Sequence, residues 1–310
     1  MDAIRYFDLL KARELLFVVD DLKWQGLLER YRIPFVHFDD HDLSAPEQPP
    51  LFFWITHLDY HRKLMSQWKD ATFISSHLAL AKFDTSPECM DYSLSQFLSV
   101  DFADTIARRT RYYEAMLAAR DACVITEAGE LRCRFRDEVE VANDDTQFQS
   151  GWLYSVAEFF ESSIVNLESE QSSFTLNGDL AFTGLIHLYN NPALREQAGP
   201  AVTELLRLAS AGRDNVVSFV DSRVTRLVVG GEDRTALIHD LTRGKERDVC
   251  ATEFALGCVE FPETQDWSLN CVLNESTHGA HVGIGMGREI PHIDFIAKGA
   301  ELRFVAPEEA

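Results

Sequence analysis

The sequence predicts an α/β N-terminal domain with a mostly parallel sheet, followed by a β-rich α+β domain that carries a metal site. Three observations support this. Apolar segments suited to strands alternate with helical stretches in the first third of the chain; hairpin and strand signals dominate after residue 120; and 46% hydrophobic content over 310 residues supplies core for two domains. From Glu14, the run Leu15-Leu16-Phe17-Val18-Val19 reads as a buried strand, and Asp20 or Asp21 caps a helical stretch from about Leu22 to Arg32. Ile33 to Phe38 again suits a strand, which completes the spacing of a βαβ unit. Leu51 to Thr56 is the next strand, polar helical sequence follows, and Ala71 to Ser76 is a further apolar segment. Strands alternating with helices imply a parallel sheet. The helical pattern of Asp101 to Ala122 ends this unit, which is placed at residues 1–115. No G-x-G-x-x-G follows the first strand, so dinucleotide binding has no support.

The second domain, residues 116–310, changes character. Cys123 to Thr126 and Leu131 to Phe135 read as a hairpin with Gly129 in the turn. Phe174 to Phe182 carries an Asn177-Gly178 turn signal between apolar positions, and Ser222 to Val229 is a strand that stops at Gly230-Gly231. Between them lies a helical insert from about Ala193 to Ala211. The one Pro-rich loop runs from Ser44 to Pro50.

Composition narrows the partners. A formal charge of −21 opposes binding to phosphate backbones, so nucleic acid is excluded as an expected partner. No apolar run approaches the roughly 20 residues of a membrane helix, and Met1 to Arg5 lacks the regions of a secretory signal. Six cysteines without a C-x-x-C pair read as reduced thiols, and the expected compartment is the cytoplasm.

The residues that carry chemistry lie near the C-terminus. In Pro291-His292-Ile293-Asp294-Phe295, His292 and Asp294 stand at i and i+2 of an extended segment, which puts both donors on one face, roughly 6–7 Å apart. His281, just before Val282-Gly283-Ile284-Gly285, can complete a cluster of two histidines and one carboxylate. His278 competes with it, because a spacing of three puts the two histidines on opposite faces of a strand. Glu253, in Thr252-Glu253-Phe254-Ala255-Leu256, and Glu158, in Val156-Ala157-Glu158-Phe159-Phe160, are carboxylates in apolar runs, which is costly unless they are paired or bind a metal. The alternative for each is an ordinary edge or surface carboxylate. His57-Leu58-Asp59-Tyr60-His61 also alternates donors, and is read as lining a cleft between domains.

At these residues the chain resembles the M29 metallo-aminopeptidase fold, a group that includes iron-dependent 2,5-dihydroxypyridine dioxygenases. Glu158-Phe159-Phe160, Glu253-Phe254-Ala255-Leu256-Gly257, Asn274 to Gly285 with His281, and His292-Ile293-Asp294-Phe295 resemble its four motifs in order, over roughly residues 120–305. Asp179 competes with Glu158 for the first carboxylate. Arg288 stands where the peptidases are expected to have a tyrosine, and the stretch from His281 to His292 is short. The resemblance therefore implies the dioxygenase branch: a mononuclear Fe(II) oxygenase using O₂ and a small-molecule substrate, with His281, His292 and Asp294 as iron ligands. Arg288 would hold an anionic group, and Glu253 or Glu158 would serve as base. The alternative it implies is a dinuclear aminopeptidase or amidase, in which Glu158, Glu253, His281, His292 and Asp294 hold two ions such as Zn, Co or Mn. A further alternative is a non-catalytic binding protein. The resemblance also implies a homo-oligomer, most simply a dimer.

Overall fold

Period-two alternation of buried and exposed residues marks strands such as Gly129–Phe135 and Val216–Val220, and Gly129, Gly231 and Gly299 stand at strand turns. The computed structural model describes residues 1–43, 45, 48–67, 72–245 and 247–307. The start of the segment expected at Ala71, and part of the Pro-rich loop, lie outside the described residues. In chain order the strands are β1 Leu16–Val19, β2 Phe35–His37, β3 Leu51–Trp54, β4 Ser75–Leu78, β5 Asp121–Thr126, β6 Gly129–Phe135, β7 Glu140–Val141, β8 Leu153–Ser155 and β9 Glu161–Val165. They continue with β10 Phe174–Ala181, β11 Gly184–Leu188, β12 Val216–Val220, β13 Arg223–Val229, β14 Glu232–Asp233, β15 Ala251–Gly257, β16 Gly279–Ile284, β17 His292–Lys298 and β18 Glu301–Val305. The helices are α1 Ala3–Lys11, α2 Gln25–Arg30, α3 Leu58–Gln67, α4 Pro87–Ser99, α5 Phe102–Ala118, α6 Pro192–Ala211 and α7 Thr235–Thr242.

The expected α/β plus β-rich architecture is present. A parallel sheet of order β2-β1-β3-β4-β8 is followed by two antiparallel sheets, of order β14-β13-β12-β10-β6-β5-β18 and β11-β17-β16-β15-β9-β7. One face of the parallel sheet buries Val18, Leu51 and Phe53 with Leu64 of α3. Its other face buries Phe17, Phe52 and Trp54 with Tyr6, Phe7, Met90 and Phe97, and this core continues to Ile186 and Ile296 of the six-stranded sheet. The far face of that sheet, with Phe254, Val282 and Phe295, packs on Leu131, Leu176 and Val217 of the seven-stranded sheet and on Val202 and Leu205 of α6. The six-stranded sheet is thus covered on both sides.

Four local expectations change. The helix expected over 22–32 divides into a 3₁₀ turn, Leu22–Trp24, and α2; Asp21 caps it by accepting from Lys23 N at 2.9 Å. The helix from Asp101 stops at Ala118, because Asp121 already pairs with Arg134 in β5. Asn177-Gly178 is not a turn: β10 runs through it. Gly178 has φ +118°, and an added Cβ would lie 2.1 Å from the Glu130 carbonyl, so the glycine permits close strand approach. The parallel sheet also takes in β8, which arrives after the β5–β6 hairpin. No helix among the described residues is long and apolar enough to cross a membrane.

His77 of β4 is buried, with Nδ1 3.0 Å from the Tyr154 carbonyl, and burial pushes its pKa down from 6.5 to about 4. A histidine held neutral in the folded state stabilises above its unfolded pKa, and that contribution is lost as pH falls from 6.5 toward 4. His77→Gln keeps an amide donor but does not titrate. It is expected to remove about 3 kcal/mol of acid-induced destabilisation, measured as the difference between variant and wild-type denaturant stability at neutral and acid pH.

Candidate metal centre

The site is assembled on one face of four adjacent strands. Residues paired across strands share a face, and the register sets Glu161 beside Gly257, Ala255 beside both Ser163 and His281, and Gly283 between Glu253 and Asp294. Glu161, Glu253, His281, His292 and Asp294 therefore all point toward the N-terminal unit, while Phe254, Val282 and Phe295 fill the core behind them. Gly283 makes room for the others. A Cβ there would sit 2.6 Å from both Asp294 Oδ1 and His292 Cε1.

The side chains form two three-donor groups that share one carboxylate. Glu161, Glu253 and His281 offer ligand atoms within 4.8 Å of one another, and so do Glu253, His292 and Asp294. His292 Nε2 lies 3.0 Å from Asp294 Oδ1 and 3.3 Å from Glu253 Oε2, and His281 Nε2 lies 3.7 Å from Glu161 Oε2. His292 Nδ1 is 2.8 Å from the Gly285 carbonyl and donates to it, which leaves Nε2 as the free lone pair. That lone pair faces two carboxylates, an arrangement that requires a proton or a cation between them.

Burial sharpens the requirement. Asp294 and His281 are each 1% exposed, and Glu161 is 6% exposed. Glu161 Oε2, Asp294 Oδ2 and His281 Nδ1 have no hydrogen-bond partner among the described residues, and Asp294 Oδ1 has the His292 ring nitrogen at 3.0 Å. Buried polar atoms left unpaired cost roughly 1–3 kcal/mol each, more when charged. Burial, then Glu253 and Asp294, raise the Glu161 pKa well above the ordinary range, and Glu275 is raised by burial and the same neighbours. Burial and Glu253 push Glu158 up to about 7. Burial would lower His292, but Asp294 and Glu253 outweigh it and raise its pKa well above normal. For Asp294, burial is outweighed by His292, with His281 adding to the lowering. The set is short of positive charge, and hard oxygen donors with two imidazoles fit divalent cations.

The backbone that carries Glu161 is held by α5. Arg109, fully buried, donates from Nε to the Glu161 carbonyl at 3.0 Å, and Ser162 Oγ donates back to the Arg109 carbonyl at 2.8 Å. Glu158 sits one 3₁₀ turn before β9 and lines the same cavity of about 220 Å³, together with Glu253, Glu275, His292 and Lys82. The walls of this cavity include Ala79, just past β4, and Ser155, the last residue of β8, so the site faces the carboxyl ends of two parallel strands.

The structure gathers some of the residues singled out from the sequence and separates others. His281 goes to the group with Glu161, while His292 and Asp294 form the neighbouring group; Glu253 belongs to both. His278 points elsewhere, to Tyr112 Oη at 2.9 Å and Glu260 at 2.9 Å. Asp179 lies on β10 of the other antiparallel sheet. Arg288 is exposed on the turn between β16 and β17, where its carbonyl accepts from Asn191. His57 is 3.0 Å from Asp20 and half exposed, and the His61 ring sits 5.6 Å from His77; neither histidine belongs to the two donor groups. Sequence reasoning missed Glu161 and Glu275. Glu161 had a signal, since it opens the alternating strand Glu161-Ser162-Ser163-Ile164-Val165.

Two solved structures align along most of the chain. One is 2,5-dihydroxypyridine dioxygenase from Pseudomonas putida KT2440, at 10% identity, covering 98% of this chain and 94% of that one with a TM-score of 0.49. The other is wild-type AmpT from Thermus thermophilus, at 9% identity, covering 96% and 91% with a TM-score of 0.44. Among curated proteins, none matches the sequence. A family model described as crocagin biosynthetic protein CgnE/B matches residues 12–305, nearly the whole length, and the chain belongs to that family.

Proposed function

We propose that the protein is a metalloenzyme whose reaction centre is the carboxylate–histidine cluster. Two divalent cations would be held side by side, one by Glu161, Glu253 and His281, the other by Glu253, His292 and Asp294. The observation that carries this reading is the sharing of Glu253 by two donor groups, each with a buried oxygen that lacks a hydrogen-bond partner among the described residues. Bound cations of this kind polarise a carbonyl and lower the pKa of bound water, which suits hydrolysis or a related addition to an amide or ester carbon of a small substrate. The chain's own residues then manage protons and position. Glu158, with its pKa pushed up to about 7, lines the same cavity and is able to accept and return a proton near neutral pH. Gly285 holds His292 in the tautomer that presents Nε2.

A second reading keeps one specific observation in its favour. His281, His292 and Asp294 stand on one face of the paired strands β16 and β17, the placement that a mononuclear Fe(II) site made of these three residues and open to O₂ would use. The test that separates the readings is metal stoichiometry on protein loaded anaerobically with Fe(II), Zn(II), Co(II) or Mn(II). Two ions per chain are expected. One iron per chain with a high-spin nitrosyl resonance would overturn the dinuclear reading in favour of the oxygenase. No bound ion at saturation would overturn both and leave a non-catalytic binding protein.

A further inference from the structure

A second cavity of about 410 Å³ adjoins the cluster and shares Lys82 and Phe83 with it as a common wall. Its remaining walls come from four segments: Asp84 and Thr85 before α4, His187 and Tyr189 at the end of β11, Arg195 with Leu206 on α6, and Ser268 with Asn270 before β16. Its volume matches a single ring or an amino-acid-sized group.

The chemistry of the walls is cationic and unsatisfied. Tyr189 is 2% exposed, and its buried hydroxyl has no hydrogen-bond partner among the described residues. The Arg195 guanidinium lies 5.7 Å from the Tyr189 ring centroid and is anchored through one nitrogen, Nη2, to the Ala81 and Phe83 carbonyls at 2.9 and 3.4 Å, which leaves its other donors free for a ligand. Lys82 is half-buried; burial lowers its pKa, and the Glu158 charge opposes that lowering. His187 adds no charge at neutral pH, since burial and Arg195 push its pKa down to about 4, and Asn270 holds its backbone through N–H and carbonyl at 2.8 Å each. Among the described residues, the one carboxylate on the rim, Asp84, is engaged by Ser86 N and Oγ at 2.8 and 2.9 Å.

We propose that this cavity binds a carboxylate borne by the substrate of the adjacent cluster. The Lys82 ammonium and Arg195 guanidinium supply the charge, the Tyr189 hydroxyl donates the hydrogen bond, and Phe83, Leu206 and the Tyr189 ring hold the apolar part. The shared wall lets one molecule place its carboxylate here and its reacting group at the cluster. Only that link rests on the reading of the cluster as a reaction centre; carboxylate capture itself needs no cation.

The test uses the metal-free full chain, titrated with benzoate and with its uncharged counterpart benzamide and followed by saturation-transfer NMR of the ligand. Benzoate is expected to bind, and benzamide at least about ten-fold more weakly, because a hydrogen-bonded charge contributes most of the difference. Tyr189→Phe removes one oxygen and keeps the ring under Arg195, so it is expected to weaken benzoate roughly ten-fold without changing the melting temperature. Lys82→Gln is expected to weaken it at least as much. Equal binding of acid and amide, no benzoate binding, or an affinity unmoved by both variants overturns the proposal. Inorganic phosphate competing as well as benzoate overturns the assignment to a carboxylate. Glu161→Gln separates the two ideas: metal content falls while benzoate binding stays. A chain that binds benzoate but no metal sinks the reaction-centre reading alone; the reverse sinks the subsite alone.

Discussion

Glu253→Gln is expected to empty both cation positions together, from two ions per chain to fewer than one, with affinity down at least about 100-fold. Loss of a hydrogen-bonding partner outside the ligand set already costs 10–100-fold in typical metal sites, and Glu253 is the donor common to both groups. Gln keeps the size of the side chain and one carbonyl oxygen but lacks the charge that two adjacent cations need between them. The same substitution acts in the opposite sense on the metal-free chain. Glu253 is among the groups that raise the pKa values of Glu158, Glu161 and Glu275, so removing its charge relieves repulsion inside the cluster. The metal-free variant should therefore melt no lower than the metal-free wild type, while the metal-loaded wild type melts above both. Elemental analysis and thermal denaturation on matched samples check this. A variant that keeps one ion per chain would mean that Glu253 serves a single position, and would favour the mononuclear reading.

Gly283→Ala is expected to lose the cation held by His292 and Asp294 while leaving the neighbouring position loaded. The added methyl would lie 2.6 Å from both Asp294 Oδ1 and His292 Cε1, closer than real Cβ atoms come, and 3.0 Å from His292 Nε2. Something must shift, and the backbone of three paired strands is stiffer than the two side chains. Overpacking of this kind costs typically 1–3 kcal/mol, so a drop in stability accompanies the loss of metal. Gly26 in α2 is the control for backbone freedom alone, since nothing lies within 4 Å of a Cβ there. Full metal content in Gly283→Ala would show that His292 and Asp294 have room that the packing denies them.

The sequence made some of this legible for definite reasons. A period of two placed His292 and Asp294 on one face, and both belong to one three-donor group. Glu253 stood out as a charge in an apolar run, and it occupies the shared position. Glu161 was obscured by its neighbour. Glu158 sits among apolar residues and drew attention first, yet it lies in a 3₁₀ turn before β9, and only the pairing of β9 with β15 shows that Glu161 stands in the row of carboxylates and histidines. Register across strands is a tertiary property that spacing along one strand cannot encode. β8 escaped for a different reason: three residues are too few to display a period. Asn177-Gly178 misled because a glycine required for close strand approach carries the same letters as a hairpin turn. The cationic cavity left no trace in the sequence, since Lys82, Tyr189 and Arg195 come from separate elements.

The placement of β8 beside β4 has a consequence for the growing chain. Leu78 ends β4, and its partner strand begins at Leu153, 75 residues later. At ribosomal speeds of about 5–20 residues per second, roughly 4–15 s pass before that partner is synthesised. During this interval β4 stands as an open strand edge, Ser75-Ser76-His77-Leu78, able to pair with a neighbouring nascent chain. Shielding of this edge, or wider spacing of ribosomes, would raise the share of the polypeptide that reaches the state in which β4 and β8 together frame the carboxylate–histidine cluster.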